Sequence, residues 1–352
     1  MPSVVRFSAP LTVEVADEPE RPLAPHEVRL RTLYSGISAG TELTAYRGTN
    51  PYMNKRWDEQ RRLFVSGETS IRYPVDGWGY EEVGEVVELG SQVESPALGQ
   101  VMWGTWGHRS GTVTSAEYAA ARVLPPSVDP LLGIFSQIGA IALNGVLDAD
   151  IHVGETVAVF GLGVPGQIVA QLARLNGARV VGVDAMPARI KLARELGADH
   201  VIDAREGDVA DKIRELTGGR GADVSIEVSG HYLALQEAIK ATAYSSRVVV
   251  AGFFQGDGVG LFLGEEFHHN RIQVVCSQIS GVSPALQHRW DGYRLARTVM
   301  DLVADDRIKL EELVSQVVPA ANAAEAFDML ANSPEQALQV VLRYGDDPKE
   351  NK

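Results

Sequence analysis

The stretch Thr156-Val-Ala-Val-Phe-Gly-Leu-Gly-Val-Pro-Gly166 decides how this 352-residue chain is read. An apolar run ends in Gly161-x-Gly163-x-x-Gly166, and helical periodicity continues to Asn176. A strand that turns sharply into a helix leaves the first N–H groups and the positive dipole end open to a phosphate. Gly161 permits the tight turn, Gly163 the close approach of a pyrophosphate, and Gly166 the packing of helix on strand. Val164 and Pro165 complete the loop, and Pro165 offers no N–H, so a phosphate relies on its neighbours. Asp184 follows Gly163 by 21 residues, close to the spacing of a ribose-binding acid, at the end of the run Arg179-Val-Val-Gly-Val183. A carboxylate there accepts from both ribose hydroxyls and repels a 2′-phosphate. That favours NAD over NADP, with Arg189 in the following helix pulling the other way. A ligand-free glycine turn is the structural alternative.

Working outward, Ala222–Val228 and Arg247–Ala251 are further apolar runs, separated from the others by helical stretches such as Pro187–Leu196. Near-continuous apolar strands alternating with helices predict a doubly wound parallel sheet, covered on both faces. From Val4 to about Pro125 the pattern is instead short, alternating and punctuated by Gly and Pro, as in Glu27–Leu33 and Glu85–Leu89. Two more helical stretches and a strand-like segment, Ala337–Tyr344, close the chain. Residues 47–73 hold a mixed charge run beside Trp57 and Phe64, which reads as a solvated helical excursion or as a lid over a pocket.

Composition narrows the function classes. The formal charge of −14 disfavours nucleic acid, whose phosphates need a basic face. Cys276 is the only cysteine, so neither an internal disulfide nor a zinc site built on two or more thiolates is available. No signal segment is evident, and no stretch approaches a bilayer span. The expectation is a soluble cytoplasmic protein with a small-molecule substrate and no membrane partner.

Gly161–Gly166, Asp184, Glu227-Val-Ser-Gly230 and Val250-Ala-Gly-Phe253, in this order, resemble the medium-chain dehydrogenase/reductase superfamily. Pro74–Gly84 and Ala116-Glu-Tyr-Ala119 add to a match over nearly the whole chain. Tyr34–Glu42, with Tyr80 in the next motif, is most similar to the branch that contains bacteriochlorophyllide dehydrogenases. The resemblance implies an α/β protein: a GroES-like β-rich catalytic domain, discontinuous over 1–147 and 286–352, around a Rossmann domain at 148–285. It also implies a homodimer through the edge strand near Val274. Ser229, Gly252, Phe253 and Ser277 fall where the family holds its nicotinamide dinucleotide.

The departures from the family concern zinc. A family cysteine ligand is replaced by Ser38 or Ala39, the ligand histidine by Tyr80, and the third ligand by Gln137. These are poor donors for a cation that prefers thiolate, imidazole and carboxylate. A zinc-independent enzyme is expected, in which side chains polarise the substrate oxygen and exchange its proton. Tyr80 is the first candidate, although a phenol needs a neighbouring cation to act as a base at neutral pH. It also reads as a side chain filling the vacated metal hole. Thr41 matches a hydroxyl that relays the substrate proton. Glu81 reads chiefly as a supporting carboxylate. His108 is the natural acid/base by pKa or else a surface histidine, and His268 and His269 are secondary candidates. Ser38, Trp57, Trp103, Trp106, Gln137 and Asn144 complete the substrate-binding set, with the two tryptophans at 103 and 106 offered as stacking platforms.

The leading expectation is hydride transfer between NAD(H) and a secondary alcohol or ketone of a fairly large substrate: a sugar, a polyol or a pigment. The alternatives are reduction of an activated C=C bond, as in quinone and enoyl reductases, and dinucleotide binding without turnover.

Overall fold

The computed structural model describes residues 1–345 and divides into two compact units, Met1–Gln137 with the chain from Val314 onward, and Ile138–Leu313.

The second unit is built on a six-stranded parallel sheet. Its spatial order is His200–Asp203, Arg179–Asp184, Thr156–Phe160, Ala222–Glu227, Thr242–Val250, Gln273–Cys276. Every residue of Thr156–Phe160 is buried, as a central strand covered on both faces requires. The strand order reverses between Thr156–Phe160 and Ala222–Glu227, which marks the carboxyl ends of these strands as the binding edge of such a sheet. His200–Asp203 is too short and polar to stand out in the sequence.

The boundaries fall at 137 and 313 rather than at the expected 147 and 286. Helix Phe135–Ala149 lies mostly in the second unit, where Gly139 leaves room for Val299 of helix Gly292–Ala304 to pack against it. Pro130–Ala149 is 20 residues long and apolar enough to cross a bilayer by length and composition, although no such stretch was expected. Within its apolar window 67% is buried inside the protein, as in a core helix.

In the first unit the strand Glu27–Ile37 is central. Glu82–Leu89 lies on one side and Gln339–Arg343 on the other, with Val101–Gly104 and Val314–Pro319 beyond them. The last strand pairs antiparallel with Ile37↔Val340 and Ser35↔Leu342, which brings Gln339 to the end of the central strand. Phe7, Tyr46 and Phe327 pack edge-on and stacked in the adjoining core.

Residues 47–73 are not a helical excursion. After one short helix, Pro51–Asn54, the chain forms a hairpin of Lys55–Asp58 against Leu63–Ser66. The alternation in each arm suits a strand, the Asp58 carboxylate accepts from the Arg61 N–H, and Arg62 takes φ +53° in the turn. Trp57 and Phe64 face each other across the pair at 4.9 Å between ring centroids.

Candidate active site

The glycine loop has the geometry expected of a phosphate cradle. Gly161 takes φ +93°, and a Cβ on Gly166 would overlap the Gly161 carbonyl oxygen. Gly163 caps the helix Val164–Leu175, and a Cβ there would meet only an Arg189 guanidinium nitrogen, at 3.8 Å. The Asp184 carboxylate accepts from the Leu162 N–H at 2.6 Å and from the Met186 N–H at 2.8 Å. Those two bonds fix the acid beside the glycine loop. Gln167 donates to the Leu162 and Arg189 carbonyls and ties loop to neighbouring helix. These residues fit the adenosine half of a dinucleotide: an open backbone, a helix N-terminus and an oriented acid.

Ser229, Gly230 and Gly252 gather around Glu227, whose carboxylate accepts from the Ser229 hydroxyl and from the Ser229 and Gly230 N–H groups. Burial pushes the Glu227 carboxyl up to about 7, against the opposing pull of those hydrogen bonds. A Cβ on Gly252 would strike Glu227 and Gly230, so its glycine is explained by packing. Phe253 is exposed. Ser277 and Asn144 come together, the amide donating to the Ser277 hydroxyl at 3.3 Å and to the Gly281 carbonyl at 3.1 Å. The Asn144 amide N–H groups thus serve the second unit's own structure.

In the first unit, Ser38, Thr41 and Tyr80 form a cluster of hydroxyls. Ser38 Oγ and Tyr80 Oη share a hydrogen bond, and Tyr80 donates to Thr41 Oγ1 at 3.4 Å. Burial and the nearby Glu81 charge push the Tyr80 phenol well above its usual value, and the Ser38 and Thr41 bonds offset this only in part. The cation that phenolate chemistry requires does not stand beside it; carboxylates do. Tyr80 is therefore a proton donor at neutral pH.

His108 is not on the surface. It is fully buried, with Nε2 2.6 Å from Glu42 Oε2 and Nδ1 against Ser35 Oγ. The Ser35 hydroxyl donates to Glu82 Oε1 at 3.2 Å, so the ring is held between two carboxylates, directly by Glu42 and through Ser35 by Glu82. Burial alone would lower the His108 pKa, but Glu42 and Glu82 outweigh it and raise the value. Glu42 also accepts from the Ser38 N–H at 2.9 Å, and Glu82 from the Trp106 N–H at 2.7 Å. The network thus anchors the backbone that carries the hydroxyl cluster, and it leaves His108 no access to a substrate.

Neither tryptophan at 103 or 106 is a free stacking platform. Trp103 is 4% exposed within the sheet, with the Arg122 guanidinium 5.3 Å over its ring. Trp106 lies against Gly84 and Gly104 and donates from its indole to Thr32 Oγ1 at 3.0 Å. Both brace the sheet. Trp57 is in the hairpin, and Gln137 is half-buried at the start of its helix. His268 and His269 are exposed neighbours. Glu42, Glu82 and Gln339 belong to the site yet carried no sequence signal, because their partners lie far away in the chain.

Ser38, Tyr80 and Gln137 offer neutral oxygens in place of the thiolate, imidazole and carboxylate that a catalytic zinc takes, and two of the three are bonded to each other. The residues do not fit a catalytic zinc.

Comparison with known proteins places residues 165–293 in a family described as zinc-binding dehydrogenase. The chain is 30% identical over 345 residues to D-guloside 3-dehydrogenase of Escherichia coli K12, covering 96% of this chain and 98% of that one. It is 27% identical over 335 residues to (R,R)-butanediol dehydrogenase of Bacillus subtilis, covering 88% and 89%. Among solved structures it resembles a dehydrogenase of Sinorhizobium meliloti 1021, described as zinc-binding and bound to NADP. The TM-score is 0.77 at 23% identity, over 97% of this chain and 99% of that one.

Proposed function

We propose, from the premise that this chain belongs to the medium-chain dehydrogenase/reductase family, that it oxidises a secondary hydroxyl of a carbohydrate or polyol with NAD and without zinc. Its relatives make it an NAD(P)-dependent dehydrogenase acting on an alcohol. The single observation that carries the finer reading is the Ser38–Tyr80–Thr41 hydroxyl cluster, in which Ser38 and Tyr80 hold positions that the family resemblance assigns to zinc ligands. A neutral phenol within a hydrogen-bonded chain can hold the substrate oxygen and pass its proton on. The glycine loop and Asp184 would hold the dinucleotide, which supplies the hydride acceptor when bound. The sugar substrate named for the Escherichia coli relative supports a carbohydrate here, ahead of a pigment or an activated C=C bond.

Asp184 supports NAD. Calorimetric titration should show tighter binding of NAD+ than of NADP+. D184S should weaken NAD+ binding by about 10- to 100-fold, the worth of a lost hydrogen bond or two to a charged group. Tighter binding of NADP+ by the unaltered protein would overturn this reading. Turnover is tested with NAD+ on a panel of methyl glycosides, polyols and simple diols, and activity on the diols alone would contradict the carbohydrate assignment.

We also propose a homodimer through the edge strand Gln273–Cys276, which pairs on one side only and leaves Val274 43% exposed. Light scattering should give twice the chain mass of 38.0 kDa; the mass of one chain would refute it.

A further inference from the structure

We infer that the Asn144 amide oxygen, Oδ1, accepts a hydrogen bond from the carboxamide N–H of a bound nicotinamide dinucleotide. This rests on the reading that the glycine loop and Asp184 hold the adenosine half. Asn144 is 1% exposed, on the helix Phe135–Ala149. Its Nδ2 donates to the Gly281 carbonyl at 3.1 Å and to the Ser277 hydroxyl oxygen at 3.3 Å. A backbone carbonyl only accepts, so the nitrogen has to be the atom that faces Gly281. That choice fixes which way the amide points. Oδ1, on its other side, is buried with no hydrogen-bond partner among the described residues. A buried acceptor left unpaired is costly, and native structures seldom keep one without a use.

The place of Asn144 in the fold points to the occupant. In an open parallel sheet the ligand lies along the carboxyl ends of the strands. The glycine loop follows Thr156–Phe160 and Asp184 ends the neighbouring strand, so the adenosine half belongs to that side of the sheet. Ala222–Glu227, Thr242–Val250 and Gln273–Cys276 follow in spatial order on the other side. Where the last two end, the Ser277 N–H donates to the Val250 carbonyl at 2.8 Å. The helix Phe135–Ala149 passes these same ends: a Cβ on Gly145 would stand 3.8 Å from the Ala251 side chain, and Asn144 reaches Ser277. Asn144 therefore stands beside a strand three places, or roughly 14 Å, from the one that feeds the glycine loop.

A dinucleotide extended along this edge brings its nicotinamide end to Asn144. Its phosphates only accept, and its adenosine ribose hydroxyls are matched to Asp184. The nicotinamide carboxamide carries the N–H that an unpaired amide oxygen takes. Gly281 is exposed, and a Cβ on it would meet nothing within 4 Å, so the loop at this end is not packed shut. A bond from the carboxamide to Asn144 limits rotation of the nicotinamide ring and sets which part of it faces the alcohol.

Calorimetric titration of the whole protein with three ligands tests this: ADP-ribose, NAD+, and the 3-acetylpyridine analogue of NAD+, in which a methyl replaces the carboxamide NH2. The unaltered protein should bind NAD+ about 5- to 50-fold more tightly than the analogue, the worth of one buried acceptor left unmet. N144L lacks the oxygen, so that preference should fall by about fivefold or more, with ADP-ribose affinity little changed. A merely structural asparagine would weaken NAD+ and the analogue alike and keep their ratio, which refutes the inference. If N144L does not fold, the unaltered protein decides: equal affinity for NAD+ and the analogue refutes, and a preference for NAD+ supports. Failure of ADP-ribose to bind would overturn the dinucleotide reading and this inference with it. Binding of ADP-ribose, with the NAD+ preference intact in N144L, would overturn the inference alone.

Discussion

Replacing His108 with leucine is expected to destabilise the first unit by about 3–5 kcal/mol, the usual cost of removing one partner from a buried ion pair. The loss removes the ring that stands between Glu42 and Ser35 and leaves the Glu42 carboxylate buried without that partner. Urea unfolding followed by tryptophan fluorescence reads this directly, because Trp57, Trp78, Trp103 and Trp106 all lie in that unit. The folded-state pKa of His108 is raised, so the native protein binds this proton more tightly than the unfolded chain. Its stabilisation is therefore full below about 6.5, the ordinary histidine value, and is lost as pH rises through the elevated one. The H108L variant should lack that part of the pH dependence. An unchanged urea midpoint would show that the charge network is not what holds the unit together.

Removing one oxygen from Tyr80 is expected to lower kcat by about 10²–10⁴-fold, the range for a positioned acid–base group. Y80F keeps the ring, so KM for the alcohol and NAD+ affinity should each change far less. The glycine loop and Asp184 belong to the other unit. The same substitution separates chemistries. Reduction of an activated C=C bond needs little proton transfer at oxygen, and an enzyme of that kind would tolerate Y80F. Near-normal turnover by the variant would move the reaction away from alcohol oxidation through this hydroxyl.

The doubly wound sheet was legible because its evidence is local. Thr156–Phe160 is continuous and apolar because it is buried on both faces, and the glycines that follow are required by backbone geometry at their own positions. The hydroxyl cluster was half legible. Ser38, Thr41 and Tyr80 stood out by matching a family pattern, but nothing in sequence order said that they bond one another. The carboxylates behind them were out of reach: Glu81 meets Gln339 across 258 residues, and Glu42 meets His108 across 66. Trp103 and His108 are opaque in sequence for the same reason. An aromatic or a histidine near a glycine-rich turn looks available, and only the register of Glu82–Leu89 against Val101–Gly104 reveals Trp103 as a buried side chain. The hairpin at 55–66 is hard to read in sequence because its charge content masks the alternation of its two short arms.

The claim at the centre is that side-chain hydroxyls, rather than a zinc ion, serve the proton chemistry of the alcohol. The measurement that meets it most directly is metal content and activity on the same purified sample, before and after treatment with a strong zinc chelator. Substoichiometric zinc and undiminished NAD+-dependent turnover after chelation are predicted. One zinc per chain, with activity lost on its removal and restored by its return, would contradict the account.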